Sequence, residues 1–266
     1  MGVAEQTPKG GTLMLEHLPY ETDKGVAARA RLGAVVLATD YTFEHEMREV
    51  LAEVPGVAAY NARILNSPQI TPETLADMKE RIAPTADLLL PGDTLDVVMF
   101  GCTSGAMVIG EETVFEKIRS VRPEAKPTTP ITAAFAAFRA FGARRIGVLT
   151  PYRADVNAGL QRYIEARGFE VPVFGSFNEE NDPTVASITV ASIEGAIARI
   201  VEAADVDAVF VSCTSLRLGK AAAAIEDRIG KPVTSSNHAM IWHALRLAGI
   251  GDTLPAFGRL YTLPLA

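Results

Sequence analysis

The sequence predicts an α/β protein of two pseudo-symmetric lobes, each a mostly parallel sheet flanked by helices, with an active site in the cleft between them. Three observations carry this. Short apolar runs alternate with helical patterns along most of the 266 residues, as expected of parallel sheets built through crossover helices. The order of elements in the first half recurs in the second. One phrase also occurs twice, Asp96-Val97-Val98-Met99-Phe100-Gly101-Cys102-Thr103-Ser104 and Asp207-Ala208-Val209-Phe210-Val211-Ser212-Cys213-Thr214-Ser215, and the two copies hold the chain's only two cysteines.

Composition sets outer limits. A chain of this length with 48% hydrophobic and 21% charged residues buries a large core and suits two lobes of roughly 100 to 150 residues each. Its net charge of −7 leaves no basic footprint for nucleic acid or an anionic membrane. No apolar stretch reaches the roughly eighteen residues of a membrane span, and Met1 to Gly25 lacks the apolar core of a signal peptide, so a cytoplasmic protein is expected. In a reducing compartment the two cysteines read as thiols rather than a disulfide, and their spacing is not that of a zinc site.

Met1 to Ala30 is polar and reads as an irregular N-terminal extension. Leu32 to Leu37 is a short run rich in branched residues, as suits a strand buried on both faces, and it ends at Ala38-Thr39-Asp40. Phe43 to Leu51 has helical periodicity. Thr71-Pro72-Glu73-Thr74 opens a second helix with an N-cap hydroxyl, proline at the first helical position and an acidic first turn; that helix is expected to run towards Leu90. The first Cys-Thr-Ser strand comes next, then a crossover helix from Glu111 to Val121. Pro130-Ile131-Thr132 precedes an alanine-rich helix ending at Phe141-Gly142.

The second half restarts with an apolar strand from Arg145 to Thr150, stopped by Pro151. Asp155 to Arg167 is a helix with Val156, Leu160, Tyr163 and Ile164 on one side. Phe169 to Phe174 reads as another strand, and a long helix from Pro183 to Ala204 leads into the second Cys-Thr-Ser strand. Pro232-Val233-Thr234 then precedes a helix ending at Ala248-Gly249, repeating the sequel of the first half. The expected division is an extension over 1–30, a first lobe from 31–128 with 240–266, and a second lobe over 129–239.

Ligands of open parallel sheets bind beyond the carboxyl ends of the strands. Lobes facing one another across a pseudo-twofold axis would therefore point Cys102 and Cys213 into one cleft from opposite sides. That arrangement suits proton exchange, in which one thiolate removes a proton while the opposite thiol delivers one to the other face. It equally suits addition of one thiolate to a polarised double bond and its departure after rotation. Both schemes need a lowered thiol pKa, which a helix starting after each cysteine would supply. The amides and hydroxyls of Thr103, Ser104, Thr214 and Ser215 are candidates to bind a carboxylate and to stabilise the enediolate formed from it. His238 and His243 are five apart and share no helix face, and neither Gly-x-Gly-x-x-Gly nor a P-loop occurs. No metal or cofactor is expected.

Taken together, the two Cys-Thr-Ser strand ends, Thr150-Pro151-Tyr152 and Pro232-Val233-Thr234-Ser235-Ser236-Asn237 resemble the Asp/Glu/hydantoin racemase superfamily, in the branch containing maleate cis-trans isomerase and arylmalonate decarboxylase. The resemblance spans about Arg31 to Gly258. It implies catalysis without metal or cofactor between two lobes, with Cys102 as nucleophile and Cys213 as its partner across the cleft. Arylmalonate decarboxylases typically carry glycine at the first position, so two thiols imply an isomerase or racemase. The resemblance also implies substrate contacts from Tyr152 and Asn181, and a homo-oligomer.

One loop departs from the pattern. Where maleate isomerases show a Pro-Ser-Ser-Asn-Thr-Thr type of loop, this chain has Leu37-Ala38-Thr39-Asp40-Tyr41-Thr42, so Asp40 replaces an asparagine that holds a carboxylate. An ionised Asp40 would repel an anionic substrate. The Ala-Thr-Asp form is similar to members of the branch found with ectoine-utilisation enzymes, which implies a diaminobutyrate derivative as substrate and an Asp40 contact to its ammonium or amide N–H. The other role open to Asp40 is N-cap of the following helix. The expected function is a cofactor-independent isomerase or racemase of a small carboxylic acid. The alternatives are an arylmalonate-type decarboxylase, in which one thiol protonates the enediolate, and a non-enzymatic two-lobed small-molecule binding protein with inert cysteines.

Overall fold

The computed structural model describes residues 14–67, 71–179 and 181–266. Its first half runs β1 (Ala30–Leu37), α1 (Phe43–Leu51), β2 (Val57–Ile64), α2 (Pro72–Ala76), α3 (Ile82–Asp87), β3 (Val97–Gly101), α4 (Thr103–Ile109), α5 (Glu111–Arg119), β4 (Lys126–Thr128) and α6 (Pro130–Phe141). The second half runs β5 (Arg145–Thr150), α7 (Ala154–Glu165), β6 (Glu170–Ser176), α8 (Asp182–Ser187), α9 (Val190–Ala203), β7 (Ala208–Val211), α10 (Ala221–Ile229), β8 (Val233–Ser235) and α11 (Ser236–Leu247).

The uninterrupted apolar runs become the interior strands, since a strand covered by helices on both faces has no polar side. Every residue of β3 and β7 is buried. The strands form two parallel four-stranded sheets of equivalent order, β2-β1-β3-β4 and β6-β5-β7-β8, so the two cysteine-bearing strands occupy the same interior position. The repeated aspartate six residues earlier fixes the opposite end. Asp96 Oδ2 accepts the N–H of Arg31 at the start of β1, and Asp207 Oδ2 accepts those of Arg144 and Arg145 at the start of β5, each at 2.8 Å.

The lobes share their packing. One apolar cluster runs from Val35 and Phe100 in the first sheet to Val148 and Val211 in the second, which fixes the walls of the cleft against one another. Helices α6 and α11 lie side by side, with α11 also against α1 and β3. On α6, Phe138 meets Phe210 of β7 edge-to-face at 5.6 Å, while Ala133 and Ala137 join the cluster around Trp242. Of the lobe limits read from sequence, 128/129 falls just before α6 and 239/240 falls inside α11.

Several elements differ from the sequence reading. Strand β2 has no counterpart in it, because an edge strand with exposed Asn61 and Arg63 carries no continuous apolar run. The helix expected from Thr71 towards Leu90 is three pieces, α2, a 3₁₀ turn over Lys79–Arg81 and α3; Pro84, without an N–H, cannot continue a helix begun at Thr71 and sits instead in the first turn of α3. The helix expected from Pro183 to Ala204 breaks at Ile188, after which the Thr189 hydroxyl accepts the Ser192 N–H and starts α9. Of the N-terminal extension, 1–13 lies outside the described residues, and 14–29 has no helix or strand and is largely exposed. Among the described residues no helix is long and apolar enough to cross a membrane.

Candidate active site

The interior strands β3 and β7 each end by delivering a thiol to the same pocket. Cys102 and Cys213 line it together with Thr103, Ser104, Thr214, Ser215, Tyr152, Asp182, Leu37, Asn66 and Met78. The pocket is small, with about 30 Å³ of free space inside it. Both cysteines are free and nearly closed off, 4% and 5% exposed.

The two thiols are held differently. After Cys102 the chain enters α4, and Cys102 acts as its N-cap, the sulfur accepting the Gly105 N–H at 3.2 Å. The absent side chain of Gly105 makes this approach possible: a Cβ there would lie 2.8 Å from Cys102 Sγ. After Cys213 no helix begins until Ala221. The sulfur accepts the Ser215 N–H at 3.4 Å, and Cys213 itself lies at φ +152°, a conformation that residues with side chains rarely adopt.

The two ends are also tied across the cleft. Ser236, at the start of α11, accepts the Cys213 N–H at 3.0 Å and shares a 2.7 Å hydrogen bond with the Thr103 hydroxyl. The Thr214 hydroxyl reaches back to the Gly101 carbonyl at 3.4 Å. Asp182 joins the lobes at the pocket wall, accepting the Thr39 hydroxyl at 2.6 Å and the Ser215 hydroxyl. Thr39 in turn accepts an N–H of the Asn66 amide at 2.9 Å.

The thiols' electrostatics run opposite to the sequence expectation. Burial pushes both up to about 12. The N–H contacts from Gly105 and Ser215 favour the thiolate as anticipated, but desolvation outweighs them, and the Asp182 carboxylate raises both thiols further. A helix starts directly after Cys102 alone. Tyr152 is buried against the Cys213 thiol, and burial holds its phenol well above the usual range.

Of the residues singled out from sequence, Cys102, Thr103, Ser104, Tyr152, Cys213, Thr214 and Ser215 come together around the pocket. Asp40 and Asn181 are not in its lining. Asp40 stands two residues before Thr42, which is itself the N-cap of α1; Asp40 Oδ1 accepts the N–H groups of Thr42 and Phe43 at 2.8 and 2.7 Å, and burial raises the Asp40 carboxyl to about 6. Asn181 is exposed and caps α8 by accepting the Thr184 N–H at 3.1 Å; its neighbour Asp182 faces the pocket instead. Residues absent from the sequence reading are Asp182, Asn66 and Ser236. Ser236 stood within a quoted motif, whereas Asn66 comes from a loop with no repeat partner. The histidines are structural: buried His238 lies between the Thr234 hydroxyl and the Phe257 carbonyl, and His243 meets the Thr128 hydroxyl at 2.8 Å.

Comparison with known proteins fits this geometry. The chain is 27% identical over 245 residues to a maleate isomerase of Nocardia farcinica, covering 86% of this chain and 94% of that protein. It is 35% identical over 136 residues to an arylmalonate decarboxylase of Bordetella bronchiseptica, covering 50% and 57%. Among solved structures, a cysteine-to-serine variant of the Nocardia farcinica maleate cis-trans isomerase with a covalently bound succinylcysteine intermediate superposes with a TM-score of 0.75 at 23% identity, over 88% of this chain and 98% of that one. The arylmalonate decarboxylase family model matches residues 46–261, and the chain therefore belongs to that family, within the Asp/Glu racemase superfamily branch that also holds the maleate isomerases.

Proposed function

We propose that this protein is a cofactor-independent isomerase or racemase of a small carboxylic acid, with Cys102 and Cys213 as its reacting pair. The observation that carries the reading is the convergence of two free thiols, one from each lobe, on one small pocket. In proton exchange, the thiolate of one cysteine takes a proton from Cα and the opposite thiol gives its own to the other face, so the pair ends with its protonation reversed. In cis-trans isomerisation, one sulfur bonds to an alkene carbon and the displaced electron pair spreads into the adjacent carboxylate. Rotation about the new single bond and expulsion of the sulfur complete the step. The succinylcysteine seen in the Nocardia farcinica relative supports a nucleophilic cysteine here. Burial favours the neutral thiol of both cysteines, so either route first requires a proton to leave one of them.

The lining also bears on substrate charge. Among the described residues Asp182 is the only charged side chain in it, so a dicarboxylate meets no countercharge, and a substrate with one carboxylate and an ammonium or N–H group is the better match. An amino-acid derivative of the diaminobutyrate type fits this pattern, with Asp182 in the role considered for Asp40. A second reading, decarboxylation of a malonate-type acid, is favoured by the family match and by the 35% identity to a decarboxylase.

The test is proton NMR in D2O with maleate, aspartate, diaminobutyrate, its N-acetyl forms and phenylmalonate. Deuterium entering Cα supports the racemase, conversion of maleate to fumarate the isomerase, and a new α-proton position with loss of CO2 the decarboxylase. No reaction with any of them, together with ligand binding, overturns the enzymatic reading.

A further inference from the structure

The strained turn at Cys213 is held by residues that neither line the pocket nor belong to that turn. No helix comes directly after it to fix it, yet three of its backbone groups have a partner from another element. The Thr214 carbonyl accepts the Asn237 side-chain N–H at 2.7 Å, the Ser215 carbonyl accepts the Thr42 hydroxyl at 2.9 Å, and the Leu218 N–H donates to Glu46 Oε1 at 2.7 Å. Glu46 Oε2 takes a second N–H of the Asn237 amide at 2.8 Å. One carboxyl on α1 and one amide on α11 thus grip both sides of the Thr214–Leu218 segment.

Glu46 is nearly fully buried, and among the described residues no cation pairs with it; the bonds it accepts come from neutral N–H groups. A buried carboxyl in that setting opposes folding unless it does something the apolar alternative does not. Space around it is closed as well: a Cβ on Gly219, itself at φ +38°, would lie 3.2 Å from Glu46 Oε1. The equivalent position beside Cys102 has no such device, since α4 holds that thiol locally.

We propose that Glu46 and Asn237 are positioning residues that clasp the Cys213 turn and keep its thiol in reacting geometry. The proposal rests on the cysteine-pair reading for its purpose, but its test does not. Alkylation of each cysteine by iodoacetamide is monitored by peptide mass spectrometry in the intact wild type, Glu46→Gln and Asn237→Ala. Loss of one buried hydrogen bond to the turn raises the rate at Cys213 by about tenfold through local opening, with Cys102 unchanged. Equal acceleration of both cysteines, or no change in a folded variant, overturns the clasp. Thr42→Val, which removes only the hydroxyl on the Ser215 carbonyl, provides the same readout if the other variants do not fold. On any substrate the enzyme turns over, Glu46→Gln lowers kcat and spares KM, whereas equal loss through KM contradicts positioning. A wild type inert towards every substrate would sink the catalytic reading while leaving the labelling result intact.

Discussion

Two strand ends with the same sequence, Cys102-Thr103-Ser104 and Cys213-Thr214-Ser215, reach equivalent places in two sheets of equivalent order, and they are stabilised in opposite ways. The first is local: Cys102 caps α4, and the glycine three residues on lets its N–H approach the sulfur. The second is long-range, a strained backbone held by Ser236, Asn237, Thr42 and Glu46. The shared sequence specifies a buried strand and the residue types at its end. Whether the chain then turns into a helix or an irregular loop is decided by the partners packed against it, so duplicated segments can carry unequal roles.

That inequality can be broken at either end, and the largest effect belongs to the local one. Gly105→Ala puts a Cβ 2.8 Å from both Cys102 Sγ and Met78 Cε. Displacing the thiol by about 1 Å costs on the order of 10²-fold in turnover, with ~1–3 kcal/mol of overpacking strain. Turnover and melting temperature matching the wild type would mean that the Cys102 end is not tightly packed.

The long-range end has a pH signature. Burial raises Glu46 from 4.5 to about 7, so the native state keeps a proton that the unfolded chain has lost over that interval. Its contribution to stability is complete below about pH 4.5 and declines towards about pH 7, by up to ~3 kcal/mol. His238, lowered by burial from 6.5 to about 4, acts in the other direction: its contribution is lost as pH falls below about 6.5. Comparing wild type with Glu46→Gln isolates the carboxyl, and the stability advantage of the wild type shrinks as pH rises across the Glu46 interval. A difference independent of pH would contradict a buried carboxyl that titrates there.

A smaller effect separates Asp182 from Asn181, adjacent in sequence and opposite in placement. Asp182→Asn shifts preference from ammonium-bearing substrates towards dicarboxylates by about tenfold, the worth of one charge-assisted hydrogen bond. Asn181→Ala, at an exposed helix cap, lowers stability by ~1 kcal/mol and leaves preference alone. The reverse pattern in steady-state kinetics would return Asn181 to the substrate.

Much of the fold was legible from residues because interior parallel strands are written as apolar runs: β1, β3, β5 and β7 all show them. The edge strands β2 and β4 do not: β2 carries exposed residues among its apolar ones, and β4 is only three residues long. The signals for the two helix breaks, Pro84 in the first turn of α3 and Thr189 capping α9, were present in the letters but outweighed by the periodicity on either side. The thiols' raised pKa values were not legible, because desolvation depends on how completely the lobes close over them. Asp182 was missed by a single position. Helical geometry turns adjacent residues about 100° apart, and only the packed structure shows which of the two faces the cleft.

The most direct test of the paired thiols measures turnover by proton NMR in D2O for wild type, Cys102→Ala and Cys213→Ala side by side. The account predicts turnover in the wild type and its loss in both variants. On a chiral substrate each variant would still exchange the Cα proton of one enantiomer, a different one in each case. Turnover kept by Cys102→Ala and lost only in Cys213→Ala would contradict the pair and leave a single-thiol decarboxylase.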